Sequence, residues 1–318
     1  MPSSSVGSAS GVFALVLASL LWGTTGTTAS FLPDDVSPLA VGASTMGIGG
    51  LLLFAATARA SIAVLRDPVA RRWVLIGAVG VVVYPLAFYA GMDLAGVAIG
   101  NVVALGSGPA FAALLERLVE RRRLSTRWAV STALAVLGIV LLAVGRDVDA
   151  AGDRGAIVTG VVLGLFAGLA YALYTYASSR AIRGTPAIQG TVELQAQAQP
   201  SRGVMGAMFG AGAVLLLPVL VVTGAPLLQS PGTVGIAAYL AIGPMFIAYL
   251  LFGIGLRSIR SSTVTTITLL EPVVATVLAV TIVGERLAPI GWVGLVLVLA
   301  GLGVLVSARR GPKTAARL

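Results

Sequence analysis

Ten apolar stretches, each of about 20 residues and so able to cross roughly 30 Å of hydrocarbon, constrain this chain more than any other feature. They cover approximately residues 11–32, 36–58, 72–91, 95–116, 128–145, 155–178, 203–222, 233–256, 263–283 and 288–307 of the 318. Outer-membrane strands alternate apolar and polar residues over about 10 positions, and no such alternation occurs here, so the spans are read as helices. The expected fold is an all-α integral membrane protein with ten transmembrane helices. No Lys or Arg precedes Gly11, and the first run is too long for a signal-peptide core, so that span is expected to be retained.

Only 10% of the residues are charged, too few to coat a globule in water, where about 25% is usual. The chain has no Cys and no His. Disulfides, thiol nucleophiles, zinc or haem ligation and histidine general bases are thereby excluded, and no catalytic residue, metal site or cofactor is assigned. A formal charge of +9 would point to nucleic acid in a soluble chain, but here the basic residues follow topology. Of the 21, all but Arg146, Arg154 and Arg286 fall on one side of the ten-span arrangement. That side is read as cytoplasmic, with both termini on it. The expected surroundings are membrane lipid, with no nucleic-acid partner. The strong preference for Arg over Lys, with abundant Ala, Gly and Val, reads as a GC-rich bacterial source and hence the cytoplasmic membrane.

The chain also repeats itself. A shift of 163 residues lays Gly80 on Gly243, Pro109 on Pro272, Arg123-Leu124 on Arg286-Leu287 and Gly138 on Gly301 without a gap. A shift of 149 pairs Gly11-Val12 with Gly160-Val161 and Trp22 with Tyr171. The copies are residues 11–145 and 155–307. Five spans is an odd number, so the second copy enters the membrane upside down, giving two inverted five-helix repeats, an arrangement used by secondary transporters. Residues 184–203, rich in Gln and without counterpart in the first copy, read as a flexible cytoplasmic loop.

Leu21-Trp22-Gly23-Thr24 in the first span, the run Pro109 to Glu116 in the fourth, and Leu270-Glu271-Pro272 followed by Val283-Gly284-Glu285-Arg286-Leu287 in the ninth carry a family resemblance. Together with Gly291-Trp292 and Ala300-Gly301 they make the chain resemble the EamA family of the drug/metabolite transporter superfamily. The first copy departs from the pattern at Arg122, which stands where the second copy has Glu285. The resemblance implies an exporter of small metabolites, often amino acids or related compounds and sometimes drugs.

Residues inside the spans then become candidates for a substrate cavity. Glu271 is the one acid well within a span, where a carboxylate costs at least about 2.5 to 3.5 kcal/mol and must face the bundle interior or water. It reads either as a protonatable coupling site or substrate counter-charge, or as a hydrogen-bonded packing residue. Pro109 and Pro272 each remove a backbone donor at matching depth and read as helix breaks or hinges. Trp22, Thr25, Tyr171 and Tyr174, with Tyr84, Tyr89 and Tyr249, lie deeper than the interfacial belt where aromatic residues usually gather, which suits a cavity wall. Asn101 and Ser107 add hydrogen-bonding capacity beside the break in the fourth span. No Lys or Arg lies inside a span, which disfavours phosphorylated cargo and leaves zwitterionic amino acids or organic cations.

The reading is therefore a secondary transporter working by alternating access, with protons as the coupling ion if Glu271 titrates, and with a monomeric or homodimeric assembly. A multidrug or organic-cation efflux carrier and a non-transporting receptor or structural protein are the alternatives. A membrane-embedded enzyme lacks the constellation it would need.

Overall fold

A computed structural model describes residues 3–121, 126–145, 154–184, 198–258 and 267–307. Every regular element among them is a helix. In chain order these are α1 (Ser3–Gly23), α2 (Thr25–Ala29), α3 (Pro38–Ala56), α4 (Ala58–Arg66), α5 (Pro68–Ala95), α6 (Val97–Glu120), α7 (Thr126–Val144), α8 (Arg154–Gly184), α9 (Ala198–Thr223), α10 (Pro231–Leu240), α11 (Ala248–Ser258), α12 (Leu270–Leu278) and α13 (Pro289–Ser307). A π-helical segment, Ala241–Ile247, joins α10 to α11, and a second, Ala279–Val283, follows α12. Most of the segment read as a flexible loop at 184–203, together with Arg122 and Arg123, lies outside the described residues.

Several helices start on the same local device. Ser37, Asp67 and Ser230 each precede a proline, and each side chain accepts hydrogen bonds from N–H groups of the first turn. The cap satisfies an otherwise orphaned donor, and proline at the first helical position has no N–H to lose.

Seven stretches among the described residues are long and apolar enough to cross a bilayer: Ser10–Ala29, Pro38–Ala56, Pro68–Ala95, Val97–Glu120, Arg154–Ile182, Arg202–Thr223 and Pro231–Gly255. Three shorter apolar helices, Trp128–Val144, Leu270–Val283 and Pro289–Val304, occupy the places of the expected fifth, ninth and tenth spans. The protein is thus a multi-pass, all-helical membrane protein, with seven clear spans among the described residues. Its outer surface agrees: Val221 and Val222 are 80% and 82% exposed, and Phe13, Val79, Val140 and Val296 also point outward. Such a surface is stable against hydrocarbon and unstable against water.

The packing is strongly cross-connected. α5 lies along α8, α6 also meets α8, α3 lies along α9, α7 along α13, and α1 packs on α11 and α12. Small residues permit the closest of these approaches. A Cβ on Gly138 of α7 would stand 2.5 Å from the Gly294 carbonyl of α13, and a Cβ on Gly294 would stand 2.5 Å from the Gly138 carbonyl. In the same interface the Ser131 hydroxyl donates to the Gly301 carbonyl at 2.6 Å.

Candidate functional site

The helices enclose a central cavity of about 270 Å³, walled mainly by aromatic and aliphatic side chains. Each wall comes from a different element. Trp22 and Thr25 arrive from the junction of α1 and α2, Tyr84 and Tyr89 from α5, Tyr171 and Tyr174 from α8, Tyr249 from α11, and Glu271 from α12. Pro109 of α6 and Pro272 of α12 line it as well. Ten of the twelve residues expected from sequence therefore meet around one space.

Asn101 and Ser107 do not line it, a correction to the sequence reading. Asn101 is fully buried one turn beyond Leu105, the last cavity-lining residue of α6 on that side. The Ser107 hydroxyl folds back toward the Ala104 carbonyl at 3.4 Å and packs against Gly168 of α8. Span depth alone could not tell these faces apart, because neighbouring residues of one helix at equal depth can point 100° apart.

The aromatic side chains form a continuous wall. Trp22 meets Tyr249 edge-on at 5.4 Å, Tyr249 meets Phe209 at 5.0 Å, and Phe209 meets Tyr174 at 5.5 Å. Tyr174 and Tyr171 are 5.1 Å apart, and Tyr84 sits within 6.0 Å of both while stacking on Phe88. The Tyr174 and Tyr249 hydroxyls share a hydrogen bond of 3.2 Å, and Tyr89 pairs with Thr45 at 3.3 Å. These bonds fix the ring orientations and keep the phenol oxygens satisfied in an apolar setting.

Among the described residues, Glu271 is the one acidic or basic side chain that lines the cavity. It lies in the first turn of α12, where the positive end of the helix dipole favours a carboxylate. Among the described residues its carboxylate has neither a hydrogen-bond partner nor an ion pair, while Tyr84, Tyr171 and Tyr249 are close enough to feel its charge. A negative charge ringed by tyrosine and tryptophan faces is complementary to an organic cation.

Four prolines within helices line the cavity, although α5, α6 and α12 continue through theirs and only Pro244 lies in an irregular, π-helical turn. Pro85 in α5, Pro109 in α6, Pro244 in the first π segment and Pro272 in α12 all reach the cavity. Each proline removes an N–H from its helix, and the π segment absorbs the fault at Pro244 by an extra residue in the turn. Sequence reasoning singled out two of these four prolines. It also passed over Thr45, Phe88, Met46, Met205 and Met245, which share the wall. Their signal was only an apolar or hydroxyl residue inside a span, the commonest kind here.

Two acids at helix ends take roles that the sequence did not disclose. Glu120 accepts from the Tyr176 hydroxyl at 3.2 Å and pairs with Arg180 at 3.3 Å; Arg180 in turn lies over the Trp73 ring at 5.1 Å. Glu285 receives the backbone N–H groups of Val97 and Ala98, the second at 3.0 Å, at the start of α6.

The chain was compared with known proteins on this footing. The EamA-like transporter family matches it twice, over residues 9–144 and 158–307. A Bacillus subtilis (strain 168) protein described as the uncharacterized transporter YwfM is 32% identical over 305 residues, covering 95% of each chain. A solved crystal structure aligns with 97% of this chain and 100% of its own at a TM-score of 0.60 and 22% identity, a likeness of fold. A multi-pass helical bundle around an aromatic cavity, matched by one transporter family along nearly its whole length, leads to one conclusion: the chain belongs to the EamA-like transporter family.

Proposed function

We propose that this membrane transporter is a secondary carrier that exports small zwitterionic or cationic organic solutes across the cytoplasmic membrane by alternating access. The observation that carries the reading is the cavity itself: among the described residues its aromatic wall holds a single unpaired carboxylate, Glu271, and no Lys or Arg. An ammonium group entering it would gain a counter-charge and several ring faces. A phosphate or nucleotide would find repulsion. Glu271 also serves as the proton site, releasing its proton when a cationic solute binds and recovering it when the solute leaves.

The architecture proposed for the movement is ten spans in two inverted copies, 11–145 and 155–307, with both termini in the cytoplasm. The packing supports it. Under the 163-residue shift Gly138 corresponds to Gly301 and Ser131 to Gly294, so the contact of Gly138 with Gly294 and that of Ser131 with Gly301 are exchanged by the repeat. Likewise α5 on α8 and α1 on α11 are the same pair of span positions taken in opposite order. Two copies related in this way can adopt either of two mirror-like packings, which is the physical basis of alternating access.

Met46, Met205 and Met245 in the wall favour a second reading in which the solute range is broad. Thioether side chains adapt their shape and accommodate varied apolar groups.

Transport into proteoliposomes across an imposed pH gradient, with pooled labelled amino acids and organic cations, tests the proposal. Wild-type protein is expected to accumulate one of these classes, and Glu271→Gln to lose gradient-driven flux. Gradient-driven flux that persists in the variant would remove Glu271 from coupling. Flux of phosphorylated solutes instead would overturn the charge argument.

A further inference from the structure

α6 begins without a cap of its own. Gly96, which precedes it, has φ +92°, a conformation that only glycine adopts freely, and it has no side chain to offer the first N–H groups of the helix. The missing acceptor arrives from 188 residues away: the Glu285 carboxylate takes the N–H groups of Val97 and Ala98 with its two oxygens. Glu285 is delivered there by Gly284, whose φ of +81° ends the π segment after α12 and reverses the chain. Among the described residues this carboxylate has no cationic partner.

Burial along α6 shows what the contact accompanies. From Val97 to Gly108 every residue is buried except Leu105, which lines the cavity, whereas from Pro109 to Arg121 none is buried. α6 is thus packed shut at the end where α5 turns into it and loosely packed toward its opposite end, at Arg117 and Arg121. Inside the shut end, between the Glu285 contact and the cavity, lies Asn101, whose amide nitrogen and oxygen are buried without a hydrogen-bond partner. The Thr27 hydroxyl, on the neighbouring α2, is in the same condition. Buried polar groups are nearly always satisfied, and an orphaned amide on α6 and an orphaned hydroxyl on α2 are what a second state, in which these groups are not buried, would leave behind.

We infer that Glu285 is the latch of a gate at this end of the protein, and that Asn101 lies on the path which the gate closes. With the latch seated, two charge-assisted hydrogen bonds tie the end of α12 to α6, and Asn101 is dry. When the carboxylate withdraws, water replaces both bonds, so the seated state is favoured by only a modest margin, enough to hold the gate and small enough to be reversible. The opened path lets Asn101 and Thr27 exchange burial for contact with water or solute. The inference deepens the alternating-access reading and rests on it for its purpose, but its own evidence is local to the gate.

The absence of cysteine from the chain makes the test clean. Single-cysteine proteins with Asn101→Cys or Leu105→Cys are placed in lipid nanodiscs and labelled with a charged maleimide. Leu105→Cys, in the cavity, is expected to react readily whether or not Glu285 is present. Asn101→Cys is expected to react slowly with Glu285 in place and about tenfold or more faster after Glu285→Ala, since bonds to a charged acceptor are among the strong ones. Glu285→Gln, which keeps one carbonyl acceptor, should fall between. Rapid labelling of Asn101→Cys with Glu285 intact, or an unchanged slow rate in a folded Glu285→Ala protein, would overturn the inference. If Glu285→Ala does not fold, an unchanged rate in Glu285→Gln overturns it equally. None of these rates depends on a solute being moved, so failure of the gate and failure of the transport proposal are separate results.

Discussion

The two halves of α6 belong to one uninterrupted helix and yet live in different surroundings. Its first half, Val97–Gly108, is rich in Gly, Ala and Val and is packed on all sides; its second half, from Pro109 on, carries Leu114, Leu118, Glu116 and Arg117 and is partly or fully exposed. Small side chains let the first half approach α5, α8 and α13 closely, while bulky and charged ones hold the second half apart. The cavity sits at the change between them, where Leu105 and Pro109 line it together with Glu271. The comparison teaches that closure at one end and looseness at the other are written into a single helix as a gradient of side-chain size.

The harshest way to break this contrast is to add bulk to each half in turn. A Cβ at Gly100 would stand 2.8 Å from the Met92 backbone, so Gly100→Val is expected to cost about 3 kcal/mol through overpacking, while Ala112→Val in the loose half should fall within about 0.5 kcal/mol of wild type. Thermal unfolding in detergent reads both; equal losses would show that the halves are packed alike. A somewhat smaller loss, about 2 kcal/mol, is expected for Gly138→Val, which drives the α7 and α13 backbones apart at 2.5 Å contact distance. A melting curve that does not move would show that this interface is not close-packed.

At the cavity, Tyr174→Phe removes the 3.2 Å bond to Tyr249 and should lower stability by about 1 kcal/mol, leaving Tyr249 free to turn. An altered solute range with the melting point nearly kept would sharpen the view of these tyrosines as ring-orienting residues. The smallest effect is expected at the loose end. Arg180 is 37% exposed in its pair with Glu120, so Arg180→Lys, which keeps the charge but gives up the planar stack on Trp73, should cost about 0.5 kcal/mol. A loss several times larger would mean that this end is held as firmly as the other.

Much of the cavity was legible from sequence because polarity inside a span is costly and therefore conspicuous. Glu271, the deep tyrosines and the two aligned prolines stand out against Leu, Val and Ala, and they meet in space. Asn101 stood out for the same reason and was placed wrongly, since depth in the membrane does not give the direction of a side chain around its helix. Glu285 was visible as an acid closing the ninth span, but its partner is a helix terminus 188 residues away, and nothing in a linear pattern announces that Gly96 leaves α6 uncapped. Seven of the expected spans are plain among the described residues, and the fifth, ninth and tenth are represented there by the apolar helices Trp128–Val144, Leu270–Val283 and Pro289–Val304.

By itself, then, the sequence determined the solvent in which this protein folds, its helical class, its family and the chemical character of its centre, because each follows from composition and spacing along one dimension. Only the tertiary structure decided which face of each helix meets the cavity, which acid is left unpaired and which is spent on a cap, and which end of the bundle is shut. Those depend on rotation about helix axes and on contacts between residues far apart in the chain, and the free energies that choose among them, a few hydrogen bonds and close-packed glycines, are set by neighbours that local sequence does not specify.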